Sequence, residues 1–149
     1  MVFTLRSPAF EDGDPIPERY GYLVSNANPP LTIRGVPESA ASLALVMDDP
    51  DAVEPAGRVW DHWLVWNIDP AIERIPADWD CPFPEGENDY GERGYGGPNP
   101  PDREHTYRFR LFALETSLDL ESGGTKGDLI EALQGQVLEE AHLEGTYTP

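Results

Sequence analysis

Residues 59–68 read VWDHWLVWNI, and this stretch indicates the fold class. In an extended chain its side chains alternate between two faces, and both faces are largely apolar. One face carries Trp60, His62, Leu64 and Trp66, so a single histidine stands among apolar residues. Strands that are apolar on both faces are typical of the buried interior of a sheet. The stretch therefore predicts a central β-strand.

Three other apolar runs also predict strands, and 16 Pro and 14 Gly residues punctuate the chain between them. The continuous run Ser42–Met47 predicts a strand that is buried on both faces. In Thr106–Leu114, apolar residues alternate with Arg108 and Arg110, which predicts a half-buried strand with two outward basic groups. Val2–Leu5 predicts a first strand.

The C-terminal part of the chain predicts one helix, because its apolar residues recur at helical spacing. These residues are Leu129, Ile130, Leu133, Val137, Leu138 and Ala141. Thr125 can cap the N-terminus, with Asp128 three residues later as in a capping box. Gly135 weakens the middle of this helix.

These patterns favour a mainly β fold: an antiparallel β-sandwich with a peripheral C-terminal helix, built as one domain over residues 1–149. The stretch Asp78–Pro101 is rich in Gly, Pro, Asn and Asp. A segment of that length predicts a loop that either serves a function or wraps the surface.

The chain is strongly acidic, with 28 Asp and Glu against 10 Lys and Arg, and a formal net charge of −18. Such a surface could bind basic partners, or it could be adapted to the molar salt of a halophilic cell. At 1 M salt the Debye length is about 3 Å, which screens the self-repulsion. The acids are spread from Glu11 to Glu144 without a long block, which favours the halophilic interpretation. The chain lacks the excess of Lys and Arg that contacts with nucleic-acid phosphates need, which argues against nucleic-acid binding.

Several other protein classes find no support in the sequence. No stretch approaches the ~20 apolar residues of a membrane span, so membrane insertion is not expected. No P-loop, dinucleotide fingerprint or serine-nucleophile elbow is present, so no cofactor is predicted. Cys81 is the only cysteine and has no cationic neighbour to activate it. A single cysteine fits a reducing compartment, and we expect a cytoplasmic protein.

Two groups of polar residues follow or interrupt the apolar runs. Asp49 and Asp51 flank Pro50 after the first buried run, and in an extended chain their carboxylates point to the same side. The alternative is a strand-ending turn, which both Asp and Pro favour. His62 is either a core histidine bonded to the backbone or a residue that faces a pocket.

A third group lies around the Gly- and Pro-rich segment 96–101, which reads GGPNPP. Such a segment lets a ligand approach the backbone closely, although a plain loop is the alternative. His105 and Tyr107 share one face of the strand that follows. Two histidines and a carboxylate can bind a metal. His62 and His105 have none of the usual metal-ligand spacings, so no metal is predicted.

Six segments together resemble the phosphatidylethanolamine-binding proteins, also called Raf kinase inhibitor proteins, in their prokaryotic branch. In chain order they read SPAFEDGDPIPERY (7–20), MDDPDAV (47–53), VWDHWLVWNI (59–68), GENDYGERGYGGPNPP (86–101), HTYRFRLFALE (105–115) and LIEALQGQVLEEAHLEGTY (129–147). The resemblance implies a β-sandwich with a small anion pocket at one end. It also implies the residues of that pocket, which are Asp49, Asp51, His62, Asn99, Pro101, His105 and Tyr107.

The ligand that the resemblance implies is a small anion of the phosphate or phosphoethanolamine type. We expect His62, His105 and Tyr107 to donate hydrogen bonds to phosphate oxygens. The carboxylates would orient the imidazoles or pair with an ethanolamine ammonium. Arg103 stands where the prokaryotic pattern often has Gly, so it is either strained or extended over the pocket.

Three functions stay open at this point. The leading one is a non-catalytic binding protein, because the chain has no nucleophile, redox group or cofactor motif. The second is an inhibitor that binds a kinase or another protein partner, as the animal members of the family do. The third is a hydrolase that uses the Asp and His side chains as acid and base. A homodimer through the strand that carries Arg108 and Arg110 is also open.

Overall fold

The computed structural model describes all residues from Met1 to Pro149. Its seven strands are β1 (Thr4–Arg6), β2 (Leu31–Arg34), β3 (Ser42–Asp49), β4 (Trp60–Ile68), β5 (Arg74–Ile75), β6 (His105–Leu114) and β7 (Val137–Tyr147). Its helices are α1 (Val53–Ala56) and α2 (Lys126–Leu133), with 3-10 turns at Glu18–Tyr20 and Pro50–Ala52. The strands form two antiparallel sheets, one with the order β1-β2-β5 and one with the order β4-β3-β6-β7.

The four-stranded sheet is buried on both faces along β3 and most of β4, whereas β7 leaves one face exposed. One face packs against the three-stranded sheet in the larger core, which includes Leu45, Trp63 and Phe109. The opposite face is covered by α2, whose Leu129 packs with Trp66 in a second cluster. Every residue of β3 is buried, as its apolar sequence predicts. The prediction of a mainly β sandwich with a peripheral helix is therefore confirmed.

The prediction that residues 59–68 form a central strand is wrong, because β4 is an edge strand of its sheet. The loop Asp78–Pro101 runs along its outer side. Trp66 donates its backbone N–H to the Pro84 carbonyl in this loop, and Gly86 donates to the carbonyl of Leu64. The covered edge keeps solvent away from β4, so its composition is that of an interior strand.

The predicted C-terminal helix is correct at its start and wrong beyond Leu133. Thr125 and Asp128 form the expected capping box at the N-terminus of α2. Gly135 has a φ of +77°, a left-handed conformation that stops the helix. The apolar residues Val137, Leu138 and Ala141 belong to β7, which pairs with β6. Residues four apart share a face in a helix and also in a strand, which explains the misleading spacing.

Two basic residues of β6 face α2 instead of solvent, which corrects the prediction that they point outward. Arg108 holds the fully buried Asp48 carboxylate with two hydrogen bonds of 2.8 and 3.0 Å. Arg110 and Lys126 bind the same carboxylate at 3.1 and 3.2 Å. Burial raises the pKa of Asp48, but these cations outweigh burial and hold the pKa below its usual value. The cluster ties β3, β6 and α2 together.

Neither β2 nor β5, which together with β1 form the smaller sheet, was predicted from the sequence, and some strand ends differ from their predicted positions. β1 begins at Thr4 instead of Val2, and β6 begins one residue earlier than predicted, at His105. None of the helices has the length and apolar character that crossing a membrane requires.

Candidate functional site

A pocket lies at the end of the sandwich where β3 ends and where β4 and β6 begin. Antiparallel pairing brings these three ends together, with Asp49 opposite Trp60 and Asp48 opposite Arg108. The cavity has a volume of about 190 Å³. Its lining comes from these strand ends, α1 and the loop before β6: Asp49, Ala52, Pro55, Ala56, Trp60, His62, Tyr90, Asn99, Pro100, Pro101, His105 and Tyr107. Drug-sized ligands need about 300 Å³ or more, so this cavity suits a smaller molecule.

Six of the seven predicted site residues line this cavity, namely Asp49, His62, Asn99, Pro101, His105 and Tyr107. The exception is Asp51, which lies in the 3-10 turn Pro50–Ala52. Its Oδ2 accepts the backbone N–H of Thr106 at 2.8 Å and so anchors the start of β6. The prediction that Asp49 and Asp51 point to the same side is wrong, because the extended chain ends at Asp49. The chain instead forms the strand-ending turn that the sequence analysis gave as the alternative, at Pro50–Ala52.

His105 is the most tightly held polar group of the pocket and is only 1% exposed. Its Nδ1 lies 2.6 Å from Oδ2 of Asp49, and its Nε2 lies 2.7 Å from Oδ1 of Asp102. An ionised carboxylate can only accept, so both ring nitrogens donate and the ring is an imidazolium. Burial lowers the pKa of His105, but the hydrogen bonds and charges of Asp49 and Asp102 outweigh burial and raise it overall. The pocket therefore holds a positive charge between two negative ones.

Asp49 is a fixed partner in this arrangement. It is 3% exposed, and its Oδ1 accepts the backbone N–H of Asp51 at 2.9 Å. The extended conformation of Asp49 before Pro50 follows from the steric demand of the proline ring. The carboxylate thereby orients the His105 ring from the end of β3.

His62 has the opposite character to His105. Its Nδ1 lies 2.6 Å from the Gly96 carbonyl and must donate to it, because a carbonyl oxygen only accepts. Burial lowers the pKa of His62, and the Gly96 carbonyl and nearby carboxylates oppose this effect only in part. The ring is therefore neutral, and Nε2 carries a lone pair that no group of the chain uses. In this neutral form His62 offers a ligand an acceptor, whereas a donor was expected from the sequence.

A β-bulge directs the His62 ring into the pocket. The register of β3 with β4 shifts between Met47 and Asp48 and leaves His62 without a partner. Its ring lies 5.2 Å from the ring of Tyr107, whereas Leu64 packs under α2 on the other face. Bulges of one extra residue redirect side chains in this way beside functional sites. The predicted uniform alternation along this strand therefore fails at His62.

The Tyr107 hydroxyl is buried and makes no hydrogen bond of good geometry, although the Asp49 carboxylate and the backbone of Asn99 lie near enough to shift its pKa. Burial first, and then the charge of Asp49, raises the pKa of this phenol, so it stays protonated and can donate. An unpaired buried donor costs about 1–3 kcal/mol, and such a group needs an explanation. Since Tyr107 lines the cavity, a ligand atom is the partner that would satisfy it.

Sequence reasoning missed two residues that shape the site. Tyr90 donates its hydroxyl to the Gly97 carbonyl at 2.8 Å and stacks on Tyr22 at 3.8 Å, so it forms a rigid wall and holds the Gly-rich loop. Asp102 is the second partner of His105. The spacing of Asp102 and His105 on a short loop was a signal for that contact, whereas nothing local marks Tyr90.

Arg103 takes neither of the two expected positions. Its φ is not positive, so its backbone carries no left-handed strain. Its Nη2 lies 2.8 Å from Glu54 and 3.9 Å from Asp51, on the outside of the pocket. The guanidinium therefore braces the rim and does not line the cavity.

Two further kinds of chemistry find no suitable groups here. No cluster of His, Cys, Asp and Glu has the arrangement of a metal site. Cys81 lies outside the pocket, where its Sγ is 3.6 Å from the Phe83 carbonyl. Burial raises the pKa of this thiol to about 11, so it is a poor nucleophile at neutral pH.

The fold and site define a class: a two-sheet β-sandwich protein with one small polar pocket at the end of its larger sheet. The sequence profile of the family "Phosphatidylethanolamine-binding protein" matches residues 6–148. The chain therefore belongs to the phosphatidylethanolamine-binding protein family.

Relatives of similar length support this assignment. A UPF0098 protein of Methanothermobacter thermautotrophicus is 47% identical, with 96% of this chain and 97% of the relative aligned. The crystal structure of a phosphatidylethanolamine-binding protein homologue from Chlamydia trachomatis is similar, with a TM-score of 0.92 and 39% identity over 98% of this chain and 97% of that one. The structure of YbcL from E. coli, described as a new member of the mammalian family, has a TM-score of 0.89 and 29% identity, with 97% of each chain covered.

Proposed function

We propose that this protein binds small anions of the phosphate type, such as inorganic phosphate or the phosphoethanolamine head group, and does not transform them. The observation that carries the proposal is the unpaired, buried hydroxyl of Tyr107 beside the charged ring of His105. The Tyr107 hydroxyl offers a free donor to the cavity. The His105 ring brings a positive charge beside it, although Asp49 and Asp102 hold both of its N–H groups. A phosphate oxygen is an acceptor suited to the free hydroxyl and to the charge.

The neutral ring of His62 narrows the class of ligands that fit the pocket. Its free Nε2 accepts a hydrogen bond, so the ligand must present a donor on that side. A phosphate or phosphomonoester that keeps one proton has such a donor beside its anionic oxygens. The ligand class is therefore a partly protonated phosphate whose charged oxygens face His105 and Tyr107.

The absence of a hydroxyl or thiol nucleophile in the pocket argues against a hydrolase that forms a covalent intermediate. Among the lining residues, the only hydroxyl groups belong to Tyr90 and Tyr107, and burial raises the pKa of both. A phenol with a raised pKa is a poor nucleophile at neutral pH. The kinase-inhibitor role, the homodimer, the cytoplasmic location and the halophilic origin stay predictions from the sequence.

The experiment is calorimetric titration of phosphate and of phosphoethanolamine in about 2 M KCl, a salt level at which surface repulsion is screened. We expect saturable binding that His105→Ala abolishes and that Tyr107→Phe weakens roughly tenfold, the effect of one lost hydrogen bond to a charged group. His142→Ala is the matched control, because His142 lies exposed on β7 and far from the pocket.

Two results would contradict the proposal. Equal binding by His105→Ala and the wild type would place the anion elsewhere. Release of inorganic phosphate from phosphoethanolamine by the wild type, lost in His105→Ala, would favour the hydrolase.

A further inference from the structure

We propose that the Asp102 carboxylate occupies the anion position on His105 Nε2, and that an anionic ligand binds by displacing it. This inference rests on the proposed function, because it concerns how a phosphate-type ligand reaches His105. It makes Asp102 a determinant of which anions bind.

His105 has only one N–H that a ligand could reach. Its Nδ1 proton is committed to Asp49, and its Nε2 lies 2.7 Å from the Asp102 carboxylate. A phosphate oxygen would make the same kind of charge-assisted hydrogen bond at the same place. Asp102 and a ligand oxygen therefore compete for one donor.

The two carboxylates that bind His105 are held very differently. The Asp49 side chain is 4% exposed, and both of its oxygens are bonded within the fold. The Asp102 side chain is 37% exposed and lies on the rim. The Asp49 carboxylate therefore behaves as part of the scaffold, whereas the Asp102 carboxylate is held only by His105 and by backbone N–H groups of its own loop.

Little backbone structure resists the movement of Asp102. Residues 99–104 make no backbone-to-backbone hydrogen bond with the rest of the chain. The neighbouring Arg103 braces the rim through ion pairs with Glu54 and Asp51, and salt screens these exposed pairs. Asp102 can therefore leave His105 without disrupting a sheet or a helix.

The charge of the pocket also favours displacement of Asp102. With Asp49 and Asp102 ionised and His105 protonated, these three groups carry one net negative charge, which repels an incoming anion. When Asp102 rotates outward, His105 and Asp49 balance each other. Only an anion that accepts hydrogen bonds at least as well as a carboxylate gains from the exchange, so chloride is rejected and phosphate is admitted.

The test compares phosphate titrations of the wild type, Asp102→Ala and Glu104→Ala. Glu104 is the matched control, since it is an exposed acid two residues from Asp102 whose side chain makes no hydrogen bond or ion pair with the His105 ring. Acetate then serves as a free carboxylate that can replace the missing side chain. We expect Asp102→Ala to bind phosphate on the order of tenfold tighter than the wild type, because one charge-assisted competitor is gone.

Acetate should compete with phosphate in Asp102→Ala and leave the wild type unaffected, whereas Glu104→Ala should match the wild type in both respects. Asp102→Asn is a second variant of nearly unchanged size. Its amide oxygen still accepts from Nε2 but carries no charge, so we expect an affinity between those of the wild type and Asp102→Ala.

The titrations distinguish failure of the displacement proposal from failure of the proposed anion binding. If Asp102→Ala binds phosphate no tighter than the wild type while His105→Ala still abolishes binding, the displacement idea is wrong and the anion pocket stands. If no variant binds phosphate at all, the displacement idea and the proposed function fall together.

Discussion

His62 and His105 lie in the same pocket, yet their surroundings favour opposite charge states. His105 donates to two carboxylates, which raises its pKa despite burial. His62 donates to a neutral carbonyl, and burial lowers its pKa. The protein thus places a charged donor and a neutral acceptor side by side using one residue type.

We expect the two imidazoles to titrate on opposite sides of the ordinary value of about 6.5. His105 should stabilise the fold fully below that value, and this contribution should disappear as pH rises through its higher folded-state pKa. Protonation of His62 should reduce stability as pH falls from about 6.5 toward its lower folded-state pKa. Proton–nitrogen NMR of labelled histidine measures both directly, with His142 as the exposed reference. A higher pKa for His62 than for His105 would refute this description of the pocket.

At this scale, the identities of most pocket residues were predictable and several of their roles were not. The spacing of His105 and Tyr107 on one strand was enough to place both on one face. The orientation of His62 depends on a bulge, and that of Asp51 on a 3-10 turn. Both features arise from how β3 pairs with strands far away in sequence, which local patterns do not contain.

Among the elements, the segment from α2 to β7 shows where sequence periodicity fails. Leu133, Val137 and Ala141 are four residues apart, a spacing that suits a helix face and a strand face equally. Gly135 decides between them through its positive φ. The start of α2 was predictable because a capping box is a local feature, whereas its end was not.

The substitution Gly135→Ala distinguishes the two structures by the sign of its effect. In a continuous helix it would stabilise the fold by about 1 kcal/mol, because alanine is the better helix former. Here nothing lies within 4 Å of the added methyl group, but the φ of +77° disfavours alanine. We therefore expect a loss of about 1 kcal/mol in the free energy of unfolding, measured by urea titration. Gly127→Ala, within α2, is the control and should not lower stability.

Over the whole molecule, the charges divide into a compensated interior and an acidic exterior. Asp48 is surrounded by Arg108, Arg110 and Lys126, so three of the ten basic side chains serve one buried carboxylate. The remaining surface is left with a large excess of acids. Composition alone predicted the excess but not this partition.

We expect the melting temperature to rise by several degrees between 0.1 and 2 M KCl, because salt screens the repulsion among surface acids. The buried Asp48 cluster is screened much less. Repeating the melts at about pH 4.5, where part of the carboxylates is protonated, should shrink the effect. A melting temperature that falls with salt at neutral pH would count against the halophilic interpretation.

The extra residue in β4 also bears on how this family can diverge. Deleting His62 would remove the extra residue between Asp61 and Trp63, which already pair with β3, together with the two hydrogen bonds that His62 makes with Gly96. The loss of one codon could therefore remove the hydrogen-bond acceptor Nε2 of His62 from the pocket while the sandwich persisted. Scaffold and recognition are separable by a single deletion, so descendants that keep this architecture need not keep its ligand.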